Sequence, residues 1–208
     1  YAFGKNNEFI FASEIKSIIA SGLIEPKIDP ASLEHYLKRL YVHPSKTIYS
    51  NIFSLPPAHH LTFQNNKCNI NSYWELPEKD ETITLGSAVE HFKFLFDQAV
   101  RKQLVADVPV GAFLSGGLDS TTVVNAATQY NSNLKTFSFG FTDHKKNELP
   151  YARAVAEKYR TEHKELTEDT DNLGDILIQM QNIYDEPFAD SSNVPTYLIS
   201  KLASEHIK

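Results

Sequence analysis

The chemistry of this chain is concentrated between Val108 and Thr121, where the order is Val-Pro-Val-Gly-Ala-Phe-Leu-Ser-Gly-Gly-Leu-Asp-Ser-Thr. An apolar run breaks at Ser115, Gly116 and Gly117, and Asp119 and Ser120 follow at once in a helix-compatible segment. Glycines let the backbone approach an anion closely, and successive N–H groups there form a concave nest. A helix beginning near Leu118 adds its positive dipole end and its free N–H groups to the same spot. The loop is therefore read as a phosphate holder. Asp119 suits Mg²⁺, because that hard cation prefers carboxylate and phosphate oxygens. Ser115 and Ser120 are candidate donors to phosphate oxygens. The plainer role of Asp119, Ser115 and Ser120 is helix capping, and it does not exclude the first.

The common phosphate loops do not fit. GxxxxGK[ST] needs a lysine where this chain has Gly117, and the dinucleotide fingerprint GxGxxG is absent. The surviving pattern, SGGxDS after a strand, resembles the pyrophosphate loop of the ATP pyrophosphatases. Further stretches narrow the likeness. Phe11-Ala12-Ser13-Glu14-Ile15-Lys16, Leu55-Pro56-Pro57-Ala58-His59-His60-Leu61 and Tyr73-Trp74 look like the end of a class II glutaminase domain. Ala106 to Gly111, Tyr151 to Ala156, Asp185 to Ser192 and Pro195 to Leu198 are similar to segments of the glutamine-hydrolysing asparagine synthetases.

That resemblance implies an α/β fold: a parallel-sheet ATP-pyrophosphatase domain, of the adenine nucleotide alpha hydrolase type, over 79–208. Before it, 1–78 would be the C-terminal part of an α+β class II glutaminase domain and its connection. The implied activity is adenylation of the aspartate side-chain carboxylate by ATP, with release of pyrophosphate, then amidation by ammonia taken from glutamine. ATP and Mg²⁺ are the implied ligands, with aspartate and glutamine as substrates. The positions of Phe113, Ser115, Gly116, Gly117, Leu118, Asp119, Ser120 and Phe139 would touch the nucleotide, and Asp119 would meet Mg²⁺. Phe139 is either a wall for the adenine ring or plain core. The family is usually aliphatic where this chain has Phe113. Its N-terminal cysteine nucleophile and its second Ser-Gly-acidic-Gly motif have no counterpart here, so the chain reads as partial and inactive alone. Two other readings stay open: a relative that adenylates a different carboxylate, and a nucleotide-binding module without catalysis. The family often pairs through its glutaminase domains, which makes a homodimer one expectation.

Composition agrees with a packed, ordered protein: 208 residues, 41% hydrophobic and 12% aromatic. A net charge of −6 gives no basic footprint for nucleic acid. No apolar run reaches the ~20 residues that span a bilayer, and the first residues do not read as a signal peptide. One cysteine, Cys68, excludes an internal disulfide framework and suits a reducing cytoplasm. It stands among Asn65, Asn66, Lys67 and Asn69 and is read as an incidental surface thiol. The eight histidines show no zinc spacing. His163 is read as structural, although a strand near the pocket is its alternative. Asp185, Glu186 and Asp190 form an acidic cluster near Ser191 and Ser192 that either meets magnesium or the amino group of a substrate or is a solvated loop or helix cap. Asp143 and Glu148 read as caps or surface charges.

The elements that must position these residues follow from periodicity. Phe9 to Ala12 predicts a strand, and Glu14 to Ala20 a short helix. Asp29-Pro30 predicts a helix start, with Leu33, Tyr36, Leu37 and Leu40 on one face. From Thr47 to Trp74 short strands are expected, separated by Pro56-Pro57 and Asn65-Asn66. Glu75 to Glu81 reads as a linker. Beyond it helix and strand alternate, which implies parallel βαβ units. Helices are expected over Thr84 to Val100, Leu118 to Gln129, from Asn147 or Glu148 with Tyr151, Ala154, Val155 and Tyr159 inward, over Leu173 to Ile183, and from Pro195 toward Ser204. Strands are expected over Val108 to Leu114, Lys135 to Phe139 and His163 to Leu166. Ligands of such sheets sit at strand carboxyl ends near a topological switch point, which places Phe113 to Ser120 beside Phe139 and Gly140.

Overall fold

The computed structural model describes residues 1–79, 82–141, 147–168, 173–187 and 189–207. Asp143 and the last two residues of the expected linker, Asp80 and Glu81, lie outside them, as does Phe188 of the acidic segment. The chain divides into two compact units: Tyr1–Lys79 with Leu177–Asp190, and Asp80–Ile176 with Ser191–Lys208.

In the first unit, β1 (Ala2–Phe3) and β2 (Phe9–Ile10) pair antiparallel. They are followed by α1 (Ile15–Ala20) and α2 (Pro30–Arg39). Asp29 caps α2 as expected, its carboxylate accepting the Ala31 N–H at 3.3 Å with Pro30 in the first turn. Of the expected apolar face of α2, Leu33, Leu37 and Leu40 are exposed and Tyr36 is half-buried. Between Thr47 and Pro57 there is no strand but two isolated bridges, Ala2 to Ile52 and Ile28 to Tyr49. β3 (His59–Gln64) and β4 (Lys67–Ser72) form a hairpin closed by Asn65 and Asn66. Both asparagines have positive φ, 51° and 57°, which matches a two-residue turn twisting with its strands. Cys68 is thus not in a turn: it is half-buried in β4, paired with Phe63. The core here is Ala2, Ile18, Ile24 and Ile52, with Ile10, Ile15, Ile19 and Tyr49 against it.

The second unit begins with α3 (Leu85–Gln103), capped by the Thr84 hydroxyl on the Ser87 N–H. Its C-terminal turns carry Phe96 and Val100 to the core, whereas Val89 and Phe92 stay exposed. Then β5 (Gly111–Phe113), α4 (Leu118–Thr128), β6 (Lys135–Phe141), α5 (Leu149–Tyr159) and β7 (Glu162–Glu168) alternate, and the strands pair in parallel in the order β5-β6-β7. The first strand is shorter than expected. Pro109 has no N–H for a ladder, and Val108 is exposed. Among the described residues the order runs in one direction, and the carboxyl ends of β5 and β6 lie at one edge of the sheet.

Alternation in β6 sorts its side chains between two faces. Lys135 and Phe137 meet the end of α7 (Asn193–Ser204): Lys135 Nζ donates to the His206 carbonyl at 3.1 Å, and the Phe137 and His206 rings lie 6.0 Å apart. On the opposite face, a Cβ at Gly140 would meet the Leu149 side chain at 2.8 Å, so α5 starts directly over it. The buried side of α5 is Leu149, Ala152 and Ala156, flanked by Val155 and Tyr159. Tyr151 and Ala154, expected inward, are exposed, a rotation of the helix by about one residue. The core gathers Val100, Leu114, Val124, Ala127, Leu134, Ala152 and Ala156. The remaining helix, α6 (Leu173–Ile183), has the bounds its periodicity predicts and contributes to both units.

Candidate functional site

The loop after β5 starts from a fixed point. Leu114 is 1% exposed, its N–H donates to the Phe137 carbonyl at 2.8 Å, and its own carbonyl accepts the Ser138 hydroxyl. The chain then turns through Gly116, whose φ of +77° is open to glycine at little cost. A side chain is excluded there for a second reason. A Cβ would stand 2.6 Å from the Ala152 backbone nitrogen and 2.7 Å from Tyr151 Cβ, so the loop lies directly on the first turn of α5.

Ser115 and Ser120 lock the turn. Their hydroxyl oxygens are 3.0 Å apart, Ser120 Oγ accepts the Ser115 N–H at 3.3 Å, and it donates to the Gly117 carbonyl at 3.2 Å. The Gly117 N–H in turn donates to Ser115 Oγ at 3.3 Å. One ordering of protons satisfies all four contacts, with Ser115 donating to Ser120 and Ser120 to Gly117.

Helix α4 therefore starts on a residue without a side chain. Gly117 is its N-cap, with no side-chain cap bond, and its carbonyl accepts the Thr121 N–H at 3.0 Å. The capping role weighed for Asp119 is not realised, since Asp119 stands inside the first turn and is exposed. The first-turn N–H groups of Leu118, Asp119 and Ser120 have no intrahelical acceptor, and the helix dipole concentrates positive potential on them. Chemically the loop is an array of N–H donors with one carboxylate beside it. Phe113 closes β5 with 51% of its surface exposed, and Phe139, half-buried, occupies β6 on the face that carries Phe137.

Other candidates fall elsewhere. His163 stands in β7 beside Thr136, whose Oγ1 is 2.9 Å from His163 Nδ1 and 2.7 Å from Thr161 Oγ1. Its Nε2 is 3.3 Å from Glu165 Oε1 but out of line, and it is buried without a hydrogen bond among the described residues. Glu165 is held by Arg153 through two bonds, 3.1 Å from Nε and 2.7 Å from Nη2. Burial lowers the His163 pKa, opposed by the nearby Glu165 carboxylate. This is a structural network at the start of the strands, as the plainer reading of His163 holds. Glu148 precedes α5 without a side-chain cap bond, and Asn147 supplies that bond to the Leu149 N–H at 3.1 Å.

Asp185 and Glu186 fold with the first unit, where they accept the N–H groups of Ile15 and Ile48. Burial pushes the Glu186 carboxyl up from its ordinary value, and the bond from Ile48 offsets this in part. Both line a cavity of about 890 Å³ in that unit, whose walls include Phe9, Phe11, Phe53 and Phe63. No signal in the sequence pointed to this cavity, because Phe9 and Phe63, stacked 4.7 Å apart, are far apart along the chain. No described residue of 113–120 lines it. Among the described residues no helix is long and apolar enough to cross a membrane, and no group of three or more His, Cys, Asp or Glu is placed to hold a metal ion.

Comparison with known proteins agrees with the two-part organisation of the motifs. Residues 91–208 match the asparagine synthase family, and residues 1–74 match the glutamine amidotransferase domain. The protein named "Putative asparagine synthetase (glutamine-hydrolyzing) 2" of Methanocaldococcus jannaschii is 37% identical over the whole of this chain, which spans 41% of its length. Asparagine synthetase (glutamine-hydrolyzing) 3 of Bacillus subtilis is 30% identical over 88% of this chain, which covers 32% of that protein. The chain thus spans less than half of the curated relatives it matches. A solved NH3-dependent NAD synthetase from Campylobacter jejuni aligns with 56% of this chain and 52% of its own at 14% identity and a TM-score of 0.40, too low to bear on the fold. With the family match extending over the Ser-Gly-Gly loop, the parallel strands and the last two helices, this chain belongs to the asparagine synthase family.

Proposed function

We propose that the intact protein is a glutamine-dependent asparagine synthetase, and that the loop from Ser115 to Ser120 holds the pyrophosphate end of its ATP. The observation that carries this reading is the loop itself. Gly116 is forced against α5, the two serines lock the turn, and the α4 N-terminus carries no side-chain cap that would compete for its N–H groups. Preorganised donors of this kind neutralise phosphate charge without reorganising. Phe113 and Leu118 flank the loop and Phe139 faces the adenine, while the Ser115 and Ser120 hydroxyl protons rotate to phosphate oxygens and the N–H bonds of Ser115 and Gly117 to the serine oxygens keep the turn.

With the β and γ phosphates gripped as a unit, the side-chain carboxylate of aspartate attacks the α-phosphorus. A carboxylate oxygen–phosphorus bond forms, the α–β bridging bond breaks and pyrophosphate leaves. Ammonia from glutamine then attacks the acyl carbon and AMP departs. Mg²⁺ fits the residues present: it binds through one or two carboxylates plus phosphates rather than in an all-protein cage, and Asp119 is an exposed carboxylate in the first turn beside the loop. Bound there, it would supply charge neutralisation at the phosphates.

The same reading assigns 1–78 to the C-terminal part of a class II glutaminase domain and 79–208 to the synthetase domain. The two family matches and the break between units after Lys79 support it. A cytoplasmic homodimer is the corresponding expectation for the intact protein.

The test is isotope exchange between pyrophosphate and ATP by the intact protein with a panel of carboxylic acids. Exchange that depends on aspartate is expected. Exchange with another acid alone would move the substrate, and ATP binding without exchange would leave a binding module.

A further inference from the structure

The segment Leu177–Asp190 lies within the part of the chain that matches the asparagine synthase family, yet it folds with the unit that matches the glutamine amidotransferase domain. Its attachment is polar, and it serves backbone groups that have no local partner. Helix α1 has Glu14 as N-cap without a side-chain bond and no acidic residue in its first turn, so the Ile15 N–H lacks a local acceptor. Asp185, 170 residues away, accepts it. Glu186 accepts the N–H of Ile48, a buried residue whose carbonyl takes the Asp29 N–H at 2.9 Å and so supports the start of α2. At the other end of α2, the Leu40 carbonyl accepts the Ala189 N–H at 2.9 Å. Lys16 completes the attachment: its Nζ donates to the Ile183 carbonyl at 3.1 Å, at the C-terminus of α6, and stands 3.6 Å from Asp185 Oδ1.

Adjacent carboxylates thus point to two different anchor points, and every bond spans far more sequence than any loop of this unit. Charged acceptors on buried or half-buried N–H groups are the stronger class of hydrogen bond. The Asp185 contact also replaces a missing helix cap.

We infer that Asp185 and Glu186 are positioning residues that strap a piece of the synthase-matched sequence into the glutaminase-type unit, and that this strap couples glutamine hydrolysis to amide formation. The coupling rests on the function proposed above, whereas the strap does not.

Two measurements on the intact protein separate them, with Asp185→Ala and Glu186→Ala as deletions and Glu186→Gln, which keeps an acceptor oxygen, as the conservative control. In hydrogen–deuterium exchange, Ile15 in the first variant and Ile48 in the second should exchange about 10- to 100-fold faster, and Glu186→Gln should stay near wild type. Unchanged exchange in both alanine variants, or Gln behaving as Ala, overturns the strap. In the activity arm, glutamine consumed per amide formed should rise several-fold in the alanine variants, while synthesis supplied with free ammonia stays within about twofold. An unchanged ratio, or a parallel loss of ammonia-supported synthesis, overturns the coupling. If the wild type forms no amide from either nitrogen source, the proposed function and the coupling fall together, and the exchange data still decide the strap.

Discussion

The α-carbon of Gly116 faces the backbone of Ala152 so closely that a Cβ would stand 2.6 Å from the Ala152 nitrogen. One glycine thereby joins the loop after β5 to α5. Gly116→Ala combines that clash with a left-handed backbone costing about 1–2 kcal/mol for an L-residue. Nucleotide binding should be lost and the thermal midpoint of the second unit lowered, as calorimetry with and without ATP would show. Wild-type ATP binding by this variant would refute the loop assignment.

Asp119 is exposed and stands in the first turn of α4, so its removal should leave the fold intact. Asp119→Asn is expected to keep the circular dichroism and melting behaviour of the wild type. Its pyrophosphate–ATP exchange should fall by roughly 10- to 100-fold or more, with a higher Mg²⁺ requirement. Exchange at the wild-type rate at low Mg²⁺ would remove Asp119 from the metal site.

Burial lowers the pKa of His163, whose side chain is 11% exposed. Between the depressed native value and the ordinary one near 6.5, the unfolded chain binds more protons than the native one, so stability rises with pH in that window. Acidification below about pH 6.5 should therefore destabilise the second unit. Glu165 and Arg153 are the charged neighbours, and the carboxylate moderates the effect. His163→Gln should flatten this part of the profile, read as the denaturation midpoint at successive pH values. Equal slopes for the two proteins would contradict it.

Phe137 is 0% exposed at the centre of β6, with the His206 ring on one side. Phe137→Ala should cost about 3–5 kcal/mol, the usual range for deleting a buried aromatic ring. Urea denaturation of the second unit measures it, and a loss below about 1 kcal/mol would mean that α7 collapses onto the strand.

Much of this protein is decided by local chemistry and is legible residue by residue. Asn65 and Asn66 tolerate positive φ and close the β3–β4 hairpin, and Asp29-Pro30 starts α2 where a cap and a fixed φ demand it. Ser-Gly-Gly followed by Asp-Ser announces the loop, and α6 has the bounds its apolar spacing predicts. These signals act within a few residues, where rotamers, caps and turn conformations are set. Tertiary structure alone decided the rest. The inward side of α5 is shifted by about one residue because Gly116 and Gly140 bring loop and strand against it. Most of the face of α2 stays exposed although its pattern is amphipathic, since periodicity shows that a face is apolar and not what covers it. The carboxylates of Asp185 and Glu186 serve N–H groups at Ile15 and Ile48 because an unsatisfied buried donor accepts any partner the fold delivers, from any distance along the chain.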